Sequence, residues 1–321
     1  MGTAPRIAGL DALRGIAALM VLALHTQAVF GGAKWFGKGY LAVDFFLMLS
    51  GFLMVRVTEP RIARGLPALR FMAARYRRFW ATVALGSVIG APYLLARSTG
   101  AGEFLPVFAA NLALVPFAFR NLMFALNIPA WTIFFELVAN AAHVFALRKV
   151  PTPGLALLTA LVLGLAVWAA IAFGSLDLGA RPATFLAGFP RIFLAYGFGM
   201  LIARVWREEP PLGVPGWLAL VLMPAAVMAS YATGRTIGWQ FDLAFVLVIC
   251  PLTIFGGWHA KGFGALGKWS AAFAFPLFAT HVPILEGMRE LGFDAVAAVP
   301  TALAFAALVT WWTMRRDRSS I

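Results

Sequence analysis

The chain has 321 residues, 62% of them hydrophobic and 12% charged, with a mean hydropathy of +0.85. A water-soluble domain carries roughly twice that charge and about 45–50% apolar residues, so a soluble globular protein is excluded and an integral membrane protein follows. The formal net charge of +13 raises nucleic acid as a partner, whereas the single cysteine, Cys250, excludes an intrachain disulfide or a cysteine-based metal site.

At about 20 apolar residues per crossing, the sequence predicts an all-α, polytopic fold of about ten transmembrane helices. The first, 9–30, contains LDALRGIAALMVLALHT. Arg6 ahead of it gives a superficial likeness to a secretion signal. Arg14 interrupts the run, however, and an apolar length of about 20 residues suits a retained span better than a short h-region. Arg14 and His25 are separated by three helical turns plus about 20°, which puts them on one face about 16 Å apart along the axis. Asp11 lies one turn below Arg14 and could pair with it. Taken singly, these groups read as snorkelling or satisfied core residues; their coincidence on one stripe favours a functional reading.

The second helix, 39–57, reads YLAVDFFLMLSGFLMV and carries Asp44 and Ser50, with Gly51 beside the serine. An intramembrane carboxylate generally faces a cavity or a partner. Between Arg56 and Arg78 lie seven arginines against one acid, Glu59. Such a run suits anionic headgroups at about 1 kcal/mol per residue, or a phosphate-rich ligand that the planar guanidinium matches. Arg75 and Arg78, three apart, share a face. The third helix, 78–96, contains Gly86 and Gly90 in a GxxxG spacing that favours helix packing. The segment 104–128 is apolar but broken by Pro106 and Pro116 and closes on Arg120 and Asn121, so it is expected to be re-entrant or interfacial. In the fourth helix, 129–148, Glu136, Asn140 and His143 form a polar stripe after Trp131. The remaining spans are 153–174, 184–205 with Arg191, 214–232, 239–257, 269–288 with His281, and 295–314.

With both termini cytosolic, 17 of the 26 basic residues fall in cytosolic segments: Arg6, the seven from Arg56 to Arg78, Arg148, Lys149, Arg204, Arg207, Lys261, Lys268, Arg315, Arg316 and Arg318. The outer loops hold seven: Lys34, Lys38, Arg97, Arg120, Arg181, Arg235 and Arg289. This positive-inside bias accounts for the basic charge without nucleic acid. No internal repeat or soluble domain is visible, so 1–321 is expected to be one membrane domain.

Together these pieces resemble the acyltransferase-3 family of membrane O-acyltransferases. Its first helix is similar to LDALRGIAALMVLALHT, with ten residues between arginine and histidine, and its second to VDFFLMLSGFLM through Asp44, Phe45, Phe46, Ser50, Gly51 and Phe52. RYRRFWA resembles the family's RxxR pattern at Arg75 and Arg78, with Ala81 where proline is usual. WTIFFE matches through Trp131, Thr132 and Glu136. Arg191 with Gly197 and Gly199, and THVP from Thr280 to Pro283, match weaker late signatures. The tyrosines usual before that histidine are Phe275 and Phe278 here, and His143 matches no motif and is kept as structural.

The resemblance implies transfer of an acyl group, commonly acetyl from cytosolic acetyl-CoA, to a hydroxyl of a glycan or glycolipid at the outer face of a bacterial cytoplasmic membrane. It points to a compact form similar to exopolysaccharide or Nod-factor-type sugar O-acetyltransferases, without the extracytoplasmic hydrolase-like domain of some members. No tightly bound cofactor and no metal are expected. His25 is expected to be the general base, oriented by Asp44 or Glu136; a covalent acyl-histidine is the other route. Arg14, Ser50, Arg75 and Arg78 are expected to hold the donor. Trp131 and Arg191, with Glu136, are expected to bind the acceptor. The rival classes are a proton- or ion-coupled transporter that uses the same intramembrane residues and a non-catalytic glycan exporter or assembly partner.

Overall fold

The computed structural model describes residues 7–206, 209–233 and 238–319, with side chains described as far as residue 315. In chain order its helices are α1 Ala8–Phe30, α2 Gly39–Ala63, α3 Ala68–Arg97, α4 Ala101–Leu112, α5 Ala130–Lys149, α6 Thr152–Phe173, α7 Pro182–Val205, α8 Gly216–Ala232, α9 Trp239–His259, α10 Gly264–Glu290 and α11 Ala295–Ser319. Among the described residues, nine are long and apolar enough to cross a membrane, and α8 is a shorter apolar helix. These nine spans and one shorter helix agree with the all-α, polytopic fold of about ten helices expected from the sequence. Arg6, Arg207 and Arg235 of the charge count lie outside the described residues, as do the side chains of Arg316 and Arg318.

The helix α3 begins ten residues before the predicted span because Arg70, Arg75, Arg77 and Arg78 continue it beyond its apolar part. The segment 104–128 does not cross. From the far end of α3, α4 runs back along it until Trp80 Nε1 donates to the Leu112 carbonyl (2.8 Å) and the Tyr76 hydroxyl to that of Ala113 (3.0 Å). The chain then turns, with Leu114 in the left-handed region, and returns until Arg120 donates to the carbonyl of Arg97 (2.7 Å). It is a re-entrant hairpin that enters and leaves at one end.

At the centre, α1 packs on α10 and α2 on α7, while α10 also meets α3 and α11. The spans α2 and α10 are the most buried; α6 and α11 are peripheral. Apolar all round, α6 turns Leu157, Leu161, Leu165 and Trp168 outward, as a lipid-facing helix does. It starts with Pro153 in its first turn and stops at Gly174 in the left-handed conformation.

Between apolar helices in lipid, contact is set by small residues that allow close approach. A Cβ at Gly51 of α2 would run into the Tyr196 carbonyl of α7, and one at Gly199 of α7 into the Met48 carbonyl of α2. The expected packing role of Gly86 and Gly90 holds likewise, against the carbonyls of Ala279 and Leu126. Both π-helical turns, Met54–Thr58 in α2 and Phe245–Ile249 in α9, precede a proline. Pro60 and Pro251 cannot bond to, and would clash with, the carbonyls four residues back at Arg56 and Leu247, and the widened turn relieves both.

Candidate active site

Three polar groupings occupy the interior, and each draws on helices far apart in sequence. The first is a cavity of about 770 Å³ at the arginine-rich end, walled by α1, α2, α3, α5 and α10. Arg14, Arg61, Arg70, Arg75 and Arg78 line it, with Ser50, Thr132 and Glu136 as its main other polar groups. Glu136 accepts from Arg75 Nη2 (2.8 Å) and from Ser50 Oγ (2.9 Å), which also lies 3.3 Å from Arg75. Arg75 in turn stacks over the Phe79 ring at 4.9 Å. The predicted donor residues Arg14, Ser50, Arg75 and Arg78 therefore do meet on one cavity. Arg14 keeps Asp11 at 3.7 Å, one turn away. Arg61 reaches the cavity from the end of α2 and Arg70 from the first turn of α3, positions that a run of seven arginines does not single out.

Glu136 was expected beside the acceptor in the outer half, or behind His25. The structure places it instead with Arg75 on the arginine cavity, because α5 packs against α3 at this depth. The polar stripe it begins is divided among three partners. Asn140 accepts from the Tyr196 hydroxyl (3.2 Å), and His143 Nε2 lies 3.1 Å from Glu59 Oε1.

The second grouping lies towards the other end. His25 Nδ1 is 3.0 Å from the Val21 carbonyl and 3.1 Å from Nε2 of His281 on α10, the two rings meeting edge-on. His281 is fully buried and places its own Nδ1 2.9 and 3.0 Å from the carbonyls of Leu277 and Phe278. His25 is half-buried, and among the described residues its Nε2 has no hydrogen-bond partner. Neither Asp44 nor Glu136 is bonded to His25, contrary to expectation; its side-chain neighbour is the imidazole of His281. The arginine cavity ends near this pair. Phe46 and Phe278, both on its wall, meet edge-on at 5.9 Å, and the Phe278 ring lies 6.3 Å from that of His281.

The third grouping is closed. Arg191 of α7 is 1% exposed and Asp44 of α2 is 0% exposed. Arg191 Nη2 and Nε donate to Asp44 at 2.7 and 3.1 Å, and Nη1 and Nη2 also donate to the carbonyls of Leu178 (3.1 Å) and Tyr40 (3.0 Å). Its guanidinium lies 5.5 Å from each of the Tyr40 and Trp131 rings, and Trp131 is itself buried. The expected acceptor residues Trp131 and Arg191 thus come together, but with Asp44 they form a buried internal knot and are not among the residues that line the arginine cavity. Nearby, Asp242 of α9 accepts from Lys38 (2.5 Å), Tyr40 (2.7 Å), Ser175 (3.1 Å) and the Leu176 amide (2.9 Å). That second knot fixes the loop after α6. It went unseen in the sequence, since 204 residues separate Lys38 from Asp242.

These features define a polytopic membrane protein with an arginine-lined cavity opening at one end and a paired histidine beyond its far wall. The chain belongs to the acyltransferase-3 family, whose model, described as an acyltransferase domain, matches residues 7–315. It is a membrane acyltransferase, working between an acyl donor and an acceptor in a lipid environment. It is similar to "Protein 2 in picA locus" of Rhizobium radiobacter, with 30% identity over 153 residues, covering 42% of this chain and 78% of that relative. No solved structure matches the chain.

Proposed function

We propose that this membrane acyltransferase is an O-acetyltransferase of a bacterial cytoplasmic membrane. It takes acetyl from cytosolic acetyl-CoA and passes it to a hydroxyl of an exported or cell-surface glycan or glycolipid. The observation that carries the reading is the pairing of five arginines around one cavity with a half-buried histidine beyond it whose Nε2 has no hydrogen-bond partner among the described residues. Arginine forks suit the phosphates of a CoA-type donor, and the arginine-rich end is the cytosolic one by the positive-inside bias.

In this reading the nucleotide phosphates rest among Arg14, Arg61, Arg70, Arg75 and Arg78, and the thioester arm rises past Ser50 towards Phe46 and Phe278. His25 Nε2 takes the proton of the acceptor hydroxyl as its oxygen attacks the thioester carbonyl. The carbon–oxygen bond forms, the carbon–sulfur bond breaks, and the departing thiolate recovers the proton from His25. A positioned imidazole contributes about 10²–10⁴-fold to such a step.

The test is thiol release from acetyl-CoA by purified protein in liposomes, with and without a glycan acceptor. Acceptor-dependent release that disappears in His25→Ala is expected. Solute movement without thiol release would overturn the proposal in favour of a transporter, and full activity in His25→Ala would overturn the base assignment.

A further inference from the structure

We infer that His281 is a positioning residue for His25, setting its tautomer and ring orientation so that Nε2 is the free basic nitrogen. The inference rests on the proposed role of His25 and extends it to a residue on another helix.

The argument is one of donors and acceptors. Carbonyl oxygens only accept hydrogen bonds. The Nδ1 of His281 faces two of them, Leu277 at 2.9 Å and Phe278 at 3.0 Å, so the ring's proton sits on Nδ1. Neutral His281 then offers only a lone pair at Nε2, and that lone pair points at His25 Nδ1, 3.1 Å away. The Val21 carbonyl, 3.0 Å from the same nitrogen, also accepts only. Both neighbours of His25 Nδ1 therefore require a proton there, and the lone pair of His25 is left on Nε2.

The Val21 contact comes from the histidine's own helix and does not bind α1 to a neighbour. His281 adds a fixed acceptor from α10, the helix against which α1 packs most extensively. It is buried completely and tied by its own backbone, so it cannot turn away. Phe278 and Phe275, one and two turns earlier on α10, have no hydroxyl to take its place. When His25 accepts a proton at Nε2, the Nδ1–H still donates to His281, so the same contact supports the imidazolium formed during transfer. This is the arrangement by which an acceptor behind a histidine fixes its tautomer in other sites.

The experiment compares His281→Leu, which removes the acceptor, with His281→Gln, whose amide oxygen can supply one. Both are measured by acceptor-dependent thiol release in liposomes, with folding checked by melting and gel filtration. In His281→Leu, kcat is expected to fall about 10–100-fold, the range for losing an orienting partner of a histidine ligand, with KM for acetyl-CoA unchanged. His281→Gln should recover most of kcat. Wild-type kcat in folded His281→Leu, or a KM effect without a kcat effect, would overturn the proposal. Independently of any activity, ¹⁵N spectra of histidine-labelled wild-type protein should show His25 protonated at Nδ1 and bare at Nε2. The reverse pattern would overturn the inference even if acyl transfer is confirmed. The expected pattern in a protein that releases no thiol would instead fault the functional reading.

Discussion

The interior knot of Asp44 and Arg191 allows a quantitative test of which intramembrane charges are structural. Consider Asp44→Leu. It removes the carboxylate that takes three guanidinium contacts within 3.3 Å and leaves Arg191 with only the carbonyls of Tyr40 and Leu178. Breaking one side of a buried pair costs about 3–5 kcal/mol, because the surviving charge stays desolvated without its counter-ion. Against a total stability of about 5–15 kcal/mol, the loss is about a fifth or more, and the melting temperature should fall by on the order of 10 °C. Thermal unfolding in detergent can be followed by tryptophan fluorescence, since Trp131 stacks on Arg191 itself. The double variant Asp44→Leu/Arg191→Met removes both charges and should recover most of the loss, as apolar replacements of whole buried pairs commonly do. It should also keep its KM for the acceptor. A single variant as stable as wild type would refute the energetic reasoning. A stable double variant with weakened acceptor binding would refute the structural assignment and return Arg191 to the acceptor site.

Two further predictions concern the cavity and its far wall. Replacing Arg14, Arg70 or Arg78 singly by alanine should weaken CoA binding about 10–100-fold, as expected from loss of a charge-assisted hydrogen bond of about 1.5–3 kcal/mol. Pantetheine, which lacks the nucleotide phosphates, should bind unchanged; calorimetric titration showing equal CoA affinity would remove that arginine from the donor site. Phe278→Val should open the wall between the cavity and the histidines, raising acceptor-independent hydrolysis of acetyl-CoA and turnover of butyryl-CoA relative to acetyl-CoA. Unchanged hydrolysis and chain-length preference in a folded variant would refute a role for that ring as a barrier.

Much of this was legible in the sequence because it rests on one helix at a time. The stripe from Arg14 to His25 follows from helical periodicity, and the span count follows from hydropathy. The RxxR pattern puts Arg75 and Arg78 at the mouth of α3 without reference to any other helix. Pairings between helices were not legible. An intramembrane aspartate requires a partner, but Arg14, Arg75 and Arg191 were all available to Asp44, and only packing of α2 on α7 selects Arg191. Depth would have helped. Asp44 and Arg191 both lie in the outer halves of their spans, as do His25 and His281, whereas Glu136, also in the outer half of its span by sequence, bonds to Arg75 near the start of α3. The role of His281 was obscured by its apolar neighbours, since Phe275 and Phe278 stand where hydroxyls were looked for and the partner turned out to be another imidazole.

A charge at the bilayer centre costs about 2.5–3.5 kcal/mol on insertion scales, and the molecule meets that cost in two different ways. Arg191 is neutralised: Asp44 takes its charge, and the carbonyls of Leu178 and Tyr40 accept from its Nη1 and Nη2. The cavity arginines are arranged otherwise. Five, drawn from α1, α2 and α3, line the cavity, Glu136 is the acidic residue among its lining, and Arg61, Arg70 and Arg78 are exposed. Packing alone would favour charge balance there as it does at Asp44 and Arg191. Net positive charge in a solvent-reached space costs stability through self-repulsion, a cost that an anionic ligand offsets. On the single helix α1, Arg14 faces that excess while His25, beyond the Phe46 and Phe278 rings, is held by neutral acceptors. The helix therefore joins an anion-binding end to a proton-accepting end, the two tasks that acyl transfer from a phosphate-bearing donor demands.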